Sequence, residues 1–302
     1  MKVTIFTPTY NRAYIIRQLY QSLQRQTCSC FEWLVVDDGS SDNTESLISS
    51  WIKEDNAFLI RYYRKENGGK HRAINYAVPL AAGELFFIVD SDDYLADNAI
   101  ELILQQVQSL PSNGACRFSG ICNCRGYSLS QIMGTTFFGE YIDCTTLERD
   151  KYGITGDKAE VFFTEVVKKY PFPEFSGETF ITEAVVWDRM AADGWNMRFF
   201  QNITYLCEYR QDGLTQQGLD LYYRNPQGYA LYLRQCRAYH KFPYTVQNYF
   251  EVQCYFAWRK TMTCSGAARL LNVNPVALVL RASKYALRQK AAAIIRKMKG
   301  AS

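Results

Sequence analysis

The sequence predicts an α/β protein with a mostly parallel central sheet flanked by helices, followed by a helical C-terminal extension. Three observations carry this. Through the first hundred residues, β-like apolar runs alternate with amphipathic stretches. Each run ends in turn-forming or acidic residues. The alternation then stops, and from about Leu219 the pattern is helical and rich in Tyr.

Residues 2–7 (KVTIFT) form the first apolar run. Pro8 follows, then Asn11 as a helix cap for an amphipathic stretch from Ala13 to Gln26. Phe31–Val36 reads as the second strand. DDGSSDNT breaks it, and Asp42 or Thr44 caps a helix carrying Leu47, Ile48, Trp51 and Ile52. Phe58–Tyr63 is the third strand, ENGGK a turn, and His71–Ala82 a helix. Leu85–Val89 is the fourth strand and Asp97–Leu110 a helix. Strands joined by helical crossovers pair in parallel, and ligands bind beyond their carboxyl ends. Residues 111–150 hold short strand-like pieces (CRFSGICNC). In 156–173 a loop leads to a helix over Lys158–Lys169, with Asp157 placed to cap it. Residues 178–195 hold another helix, stopped near Gly194, and Phe199–Tyr209 is a further strand.

The chain has 302 residues, and 48% are hydrophobic, enough for a sizeable core. A net charge of +4 is too small to argue for nucleic acid. Ten cysteines include no Cys-x-x-Cys pair and only two histidines accompany them, so zinc is poorly supported and the thiols read as small hydrophobes. Met1 leads directly into a strand with no signal peptide, and no apolar run reaches the ~18 residues of a membrane span. These features predict a cytoplasmic protein.

Four polar signals sit at the ends of successive strands: TPTYNR (7–12), DDGSSD (37–42), NGGKHR (67–72) and DSDD (90–93). Each alone is an ordinary turn composition. Together they converge on one sheet edge. FTPTYNR, LVVDDGSSDNT, ENGGKHRAINYAV and AAGELFFIVDSDD, in this order and spacing, resemble the nucleotide-sugar half of family 2 glycosyltransferases of the GT-A fold. The likeness continues more loosely through GDKAEVF and FITEAVVW to about residue 217. It implies a catalytic domain over 1–217, with a nucleotide-sugar half (1–110) and an acceptor half (111–217), and a helical extension over 218–302.

The resemblance implies an inverting, metal-dependent transferase. It moves a sugar from a nucleoside diphosphate sugar, a UDP-sugar by preference, to a hydroxyl of a glycan or lipid-linked glycan in cell-surface polysaccharide assembly. Leaving diphosphate is stabilised by a hard divalent cation on carboxylates. In the D-x-D motif, Asp92 would ligate Mn²⁺ or Mg²⁺, and Asp90 would reach the ribose or the hydrated metal. Asp93 either orients a water or caps the next turn. Asp38 would accept the imide N–H of uracil, with Asp37 as a partner. Pro8, Thr9 and Tyr10 lie on the neighbouring strand end, where Tyr10 offers a ring for stacking on a base. Arg12 ranks lower. Gly69 with Gly68 allows close backbone approach to phosphate, and Lys70 or Arg72 would meet the diphosphate.

The general base is expected among carboxylates, since histidine is scarce. Related enzymes place a Glu-Asp pair at a helix start past the D-x-D. Here the sequence is Thr182-Glu183-Ala184, so the second acid is missing. Glu183 is the first choice, with Glu178 and Asp157 as alternates. The stretch 281–299 carries seven Lys or Arg and no acid, which suits peripheral contact with an anionic membrane on its inner face. Two rival classes stand beside the transferase: a nucleotidyltransferase, which normally has a glycine-rich loop after the first strand, and a non-catalytic nucleotide-sugar binder on a degenerate GT-A scaffold.

Overall fold

In the computed structural model residues 2–111, 117–208 and 218–299 are described, with side chains as far as Ala292. Four parallel strands open the chain: β1 (Val3–Thr9), β2 (Phe31–Asp37), β3 (Leu59–Arg64) and β4 (Leu85–Ile88), in the spatial order β3-β2-β1-β4. β2 is buried along all seven residues, which is why its stretch from Trp33 to Val36 reads as a continuous apolar run and not as an alternation. Crossovers α1 (Arg17–Gln24), α2 (Thr44–Ile52) and α3 (Lys70–Ala77) join the strands. On one face Trp33 stacks with Tyr20 and Trp51, and Val3, Ile5, Leu19 and Ile48 close the core around them. Each such side chain contributes about 1.5–3 kcal/mol by leaving water.

The register pairs Thr9 with Asp37 and Asp37 with Arg64, so the three strand ends lie level. Phe6 pairs with Ile88, which carries Asp90 to the same edge.

Beyond β4 the sheet becomes mixed. β5 (Tyr94–Leu95) and α4 (Ala99–Gln108) precede β6 (Phe118–Ser128), β7 (Gln131–Ile132), β8 (Tyr141–Cys144) and β9 (Lys158–Phe163). A short α5 (Thr164–Val167), α6 (Ala184–Ala192) and β10 (Asn196–Leu206) follow. The order continues β4-β9-β6-β10-β5. β9 lies antiparallel to β4 and β6, and β10 runs parallel to β6.

Two expectations are corrected. Lys158–Phe163 is a strand, not the start of a helix, because KAEVFF fills the gap between β4 and β6 and only four residues of helix follow. Asp157 therefore caps no helix. The first helix begins at Arg17, not Ala13. Asn11 takes a left-handed conformation (φ 54°), and its Oδ1 accepts the Ser41 N–H at 2.8 Å. It fastens the loop after β2 and caps nothing. Asp42, as expected, serves the start of α2, where its Oδ1 accepts the Thr44 N–H.

The described residues separate into two compact units, one within 1–174 and 186–213, the other within 175–185 and 214–302. This differs from a break at 217/218; residue 217 itself lies outside the described residues, as do Tyr209 and Cys116 of the expected strands. The segment 175–185 joins the second unit by identifiable bonds. Asn225 Oδ1 accepts the N–H groups of Thr179 and Phe180, and the Phe180 ring meets Tyr222 edge-on. The second unit otherwise holds α7 (Gly218–Tyr223), α8 (Pro226–Ala238), α9 (Tyr244–Trp258), α10 (Cys264–Leu271) and α11 (Pro275–Lys299). Tyr229, Leu233, Cys254, Trp258, Leu271 and Leu278 form its core.

Candidate functional site

The loops that follow β1 to β4 gather the predicted nucleotide residues on the carboxyl edge of the first unit. Pro8 and Thr9 end β1. Thr9 is buried, and its Oγ1 has no hydrogen-bond partner among the described residues. Tyr10 stands 49% exposed, free to present its ring to a ligand.

Asp37 and Asp38 differ in kind. Asp37 has no exposure. Its Oδ1 accepts the Ser40 N–H and its Oδ2 the Tyr62 hydroxyl, both at 2.7 Å, so it shapes the turn from inside. Asp38 holds the glycine loop. Its Oδ1 accepts Lys65 Nζ at 2.6 Å and the Gly68 N–H at 3.0 Å, and its Oδ2 accepts the Gly69 N–H at 2.6 Å. A carboxylate offers about four lone-pair sites. The three bonds leave room for one more donor, such as an imide N–H. Gly69 has φ 94°, a conformation that favours glycine, and it leads straight into α3.

Lys70, the first residue of α3, places Nζ 2.5 Å from Asp90 Oδ1. Arg125 of β6 lies 3.8 Å from the other Asp90 oxygen and 4.0 Å from Asp93. The Tyr205 hydroxyl receives the Asp90 N–H at 2.9 Å and donates to Asp93 Oδ2 at 2.8 Å, while the Arg125 guanidinium sits 4.1 Å from the Tyr205 ring centre. Asp92 has Arg12 at 3.8 Å, and its carbonyl oxygen accepts from Gln18 at 2.5 Å. Arg72 reaches Glu174 at 3.2 Å and the Gly68 carbonyl at 2.9 Å, so it braces the glycine loop.

The three acids respond differently to this setting. At an effective dielectric of about 20, unit charges ~4 Å apart interact by ~4 kcal/mol, so neighbours decide protonation. Burial opposes ionisation of Asp90, yet Lys70 and Arg125 hold its carboxyl below the usual range. Burial and the negative charge of Asp90 raise Asp92. The same two causes push Asp93 up to about 7. Asp93 is thus bound into the Tyr205–Arg125 cluster, whereas Asp92 has the Arg12 guanidinium at 3.8 Å.

Among the described residues, no three or more His, Cys, Asp or Glu side chains gather as a metal cage. Mg²⁺-type ions are held by one or two carboxylates plus substrate phosphates, and not by protein cages. Asp92 and Asp90 are hard oxygen donors of that kind. The donor set fits such an ion.

The candidate bases fall in different places. Glu183 immediately precedes α6, at a helix start as expected. Glu178 belongs to the same second unit and is buried. Its two oxygens accept the N–H groups of Gln227 at 2.7 Å and Gly228 at 2.9 Å, so it caps α8. Asp157 is exposed just before β9, and the pairing of Val161 with Phe87 carries that end of β9 to the edge where β4 stops. Arg125, Tyr205 and Lys65 were not predicted. Arg125 and Tyr205 come from β6 and β10, more than thirty residues past the D-x-D, and only strand pairing brings them to it. Lys65 alone was within reach of a local argument, as a cation two residues before NGG.

The model of glycosyl transferase family 2 matches residues 4–170. Over 107 residues the chain is 36% identical to glycosyltransferase GlyG of Streptococcus pneumoniae, covering 35% of each chain. It is 31% identical over 109 residues to GalNAc(5)-diNAcBac-PP-undecaprenol beta-1,3-glucosyltransferase of Campylobacter jejuni, covering 35% of this chain and 34% of that one. The matched part thus spans about a third of these relatives' length. Among solved structures, S. aureus TarS in complex with UDP-GlcNAc aligns with a TM-score of 0.61 at 18% identity, over 86% of this chain and 73% of that one. A mannosyltransferase of Pyrobaculum calidifontis in complex with GDP-Man and Mn²⁺ aligns with a TM-score of 0.55 at 18% identity, over 97% and 80%. The fold is therefore that of GT-A glycosyltransferases. With the family model matching more than half of its residues, the chain belongs to glycosyl transferase family 2.

Proposed function

We propose that this protein transfers a sugar from a nucleoside diphosphate sugar, a UDP-sugar in the first instance, to a hydroxyl of a glycan or lipid-linked glycan, with inversion and with Mn²⁺ or Mg²⁺. The observation that carries the reading is the gathering of Asp90, Asp92, Lys70, Gly69 and Arg12 on one sheet edge. The TarS complex supports a UDP donor, and the undecaprenol-linked C. jejuni relative supports a lipid-linked acceptor. The nucleotide-sugar half is assigned to 1–110, the acceptor half to 111–217, and the extension to 218–302.

In this mechanism Tyr10 stacks on the base, and the last acceptor site of Asp38 takes its imide N–H. Pro8, Thr9 and Asp37 shape that end of the site. Asp90 takes a ribose hydroxyl, and the backbone of Gly69 permits close approach of the diphosphate. Lys70, at a helix N-terminus, turns from Asp90 toward the diphosphate oxygens, with Arg72 beside it holding the loop. A divalent cation held by Asp92 and Asp90 would neutralise charge on the departing diphosphate. The acceptor oxygen forms a bond to the anomeric carbon as the bond to the diphosphate breaks. Glu183 takes the acceptor's proton, and the electron pair leaves with the diphosphate. Work on the inner face of a membrane, with peripheral contact through 281–299, suits a lipid-linked acceptor.

A panel of UDP-sugars incubated with purified protein, with and without Mn²⁺, tests the reading. Sugar transfer or donor hydrolysis that needs the metal is expected. Pyrophosphate release would indicate a nucleotidyltransferase, and binding without turnover a non-catalytic binder. Glu183→Gln is expected to bind donor normally and lose ~10²–10⁴ in turnover, the usual contribution of a general base. Wild-type turnover in that variant would move the role to Asp157, read by Asp157→Asn.

A further inference from the structure

α11 presents two faces with different neighbours. On the inner face Leu278 and Ala282 are buried. Tyr285 meets the rings of Tyr249 and Phe256, and Arg281 pairs with the buried Glu251 at 2.9 Å. This face seats the helix on α9. On the outer face Val276, Leu280 and Leu287 are exposed by 66%, 65% and 67%. At 3.6 residues per turn these three fall within an arc of about 40°, on the side of the helix away from Tyr285. Exposed Lys290 borders that arc on one side, and exposed Lys284 and Arg288 on the other.

A single exposed leucine means nothing. Three apolar side chains in line, bordered by lysine and arginine, are the signature of a helix that lies in a lipid interface. No described helix is long and apolar enough to cross a membrane, so lying on the surface is the mode left for this one. The charge selects the occupant. From Arg281 to Lys299 there are seven basic residues and no acid. Stacking this face on its own copy would oppose like charges, whereas an anionic lipid surface complements them.

We propose that α11 binds an anionic lipid surface with its axis along the bilayer plane. Val276, Leu280 and Leu287 enter the acyl boundary, while Lys284, Arg288 and Lys290 meet the headgroup phosphates. This gives the peripheral contact suggested above a defined face, and it stands independently of the transfer reaction.

Vesicle co-sedimentation of the full chain, without donor or acceptor, is the test. Wild type is expected to pellet with equimolar phosphatidylcholine–phosphatidylglycerol vesicles and to stay in solution with phosphatidylcholine alone. Leu280→Asp/Leu287→Asp and Lys284→Glu/Arg288→Glu/Lys290→Glu should each weaken partitioning by about tenfold or more. Both sets of positions are exposed, so the thermal transition should not move. Wild type remaining in the supernatant with the anionic vesicles overturns the proposal. So does wild-type partitioning by the leucine variant. Self-association that the leucine variant abolishes, without any vesicle binding, overturns it in favour of a second copy. Because no substrate is present, a failure of sugar transfer leaves this result unaffected.

Discussion

Asp92 has less positive charge beside it than Asp90 has. Asp90 faces Lys70 at 2.5 Å and Arg125 at 3.8 Å, whereas the Asp92 side chain has Arg12 at 3.8 Å. A cation arriving with a nucleotide therefore gains most at Asp92. Asp92→Asn is expected to abolish Mn²⁺-dependent binding of UDP, read by calorimetry, while any metal-independent binding persists. Unchanged affinity in the presence of Mn²⁺ would remove Asp92 from the proposed metal site. Lys70 has a different part, since its ammonium lies against Asp90 and at the first turn of α3. Lys70→Ala should weaken UDP binding by ~10–100-fold, the equivalent of one charged hydrogen bond worth about 1.5–3 kcal/mol. That loss should appear with and without metal, which distinguishes it from the loss at Asp92.

Elements differ in how far their chemistry was legible from sequence, and Glu178 shows why. Read in GETF it was a possible base; in the fold it caps α8 through the N–H groups of Gln227 and Gly228, almost fifty residues away. Glu178→Ala leaves both donors without that partner and should cost ~0.5–2 kcal/mol of stability. Denaturant midpoints for the variant check the cost. Donor hydrolysis under folding conditions should persist, and a complete loss there would restore Glu178 as a candidate base. The turns at or beyond the strand ends, around Pro8, Asp37, Gly69 and Asp90, were readable because turn chemistry is local. A glycine at φ 94° or a carboxylate closing a turn is written within a few residues. β9 was not readable, since KAEVFF becomes a strand only by filling the space between β4 and β6. Arg125 and Tyr205 escaped for the same reason: their nearness to Asp90 is a product of strand pairing, not of spacing. The grouping of 175–185 with the C-terminal helices likewise depends on Asn225, which no local pattern connects to Thr179.

At the scale of the whole molecule, acid stability has a specific contributor in His71. It is 4% exposed on α3, and its Nδ1 has no hydrogen-bond partner among the described residues. Burial and then the charge of Arg72 lower its pKa from 6.5 to about 4, against weaker opposing effects of Glu174 and Asp38, with Lys65 adding to the lowering. In the folded protein the imidazole is neutral above the lowered value; in the unfolded chain it takes a proton near pH 6.5. Between these values the unfolded state binds more protons, so stability rises with pH across the window. The contribution is complete above about pH 6.5 and is lost as the pH falls toward about 4. Carboxylates throughout the chain also titrate toward the lower end, so the informative quantity is a difference between proteins. His71→Gln has no titrating group at this position. Denaturant midpoints of wild type and His71→Gln, followed from about pH 7 down to about pH 5, should converge as the wild type loses its advantage. Parallel curves across that range would mean that His71 titrates alike in both states, and that its burial does not govern the acid limb. UDP binding by the variant at neutral pH separates this stability effect from any role of His71, next to Lys70 in sequence, in the proposed donor site.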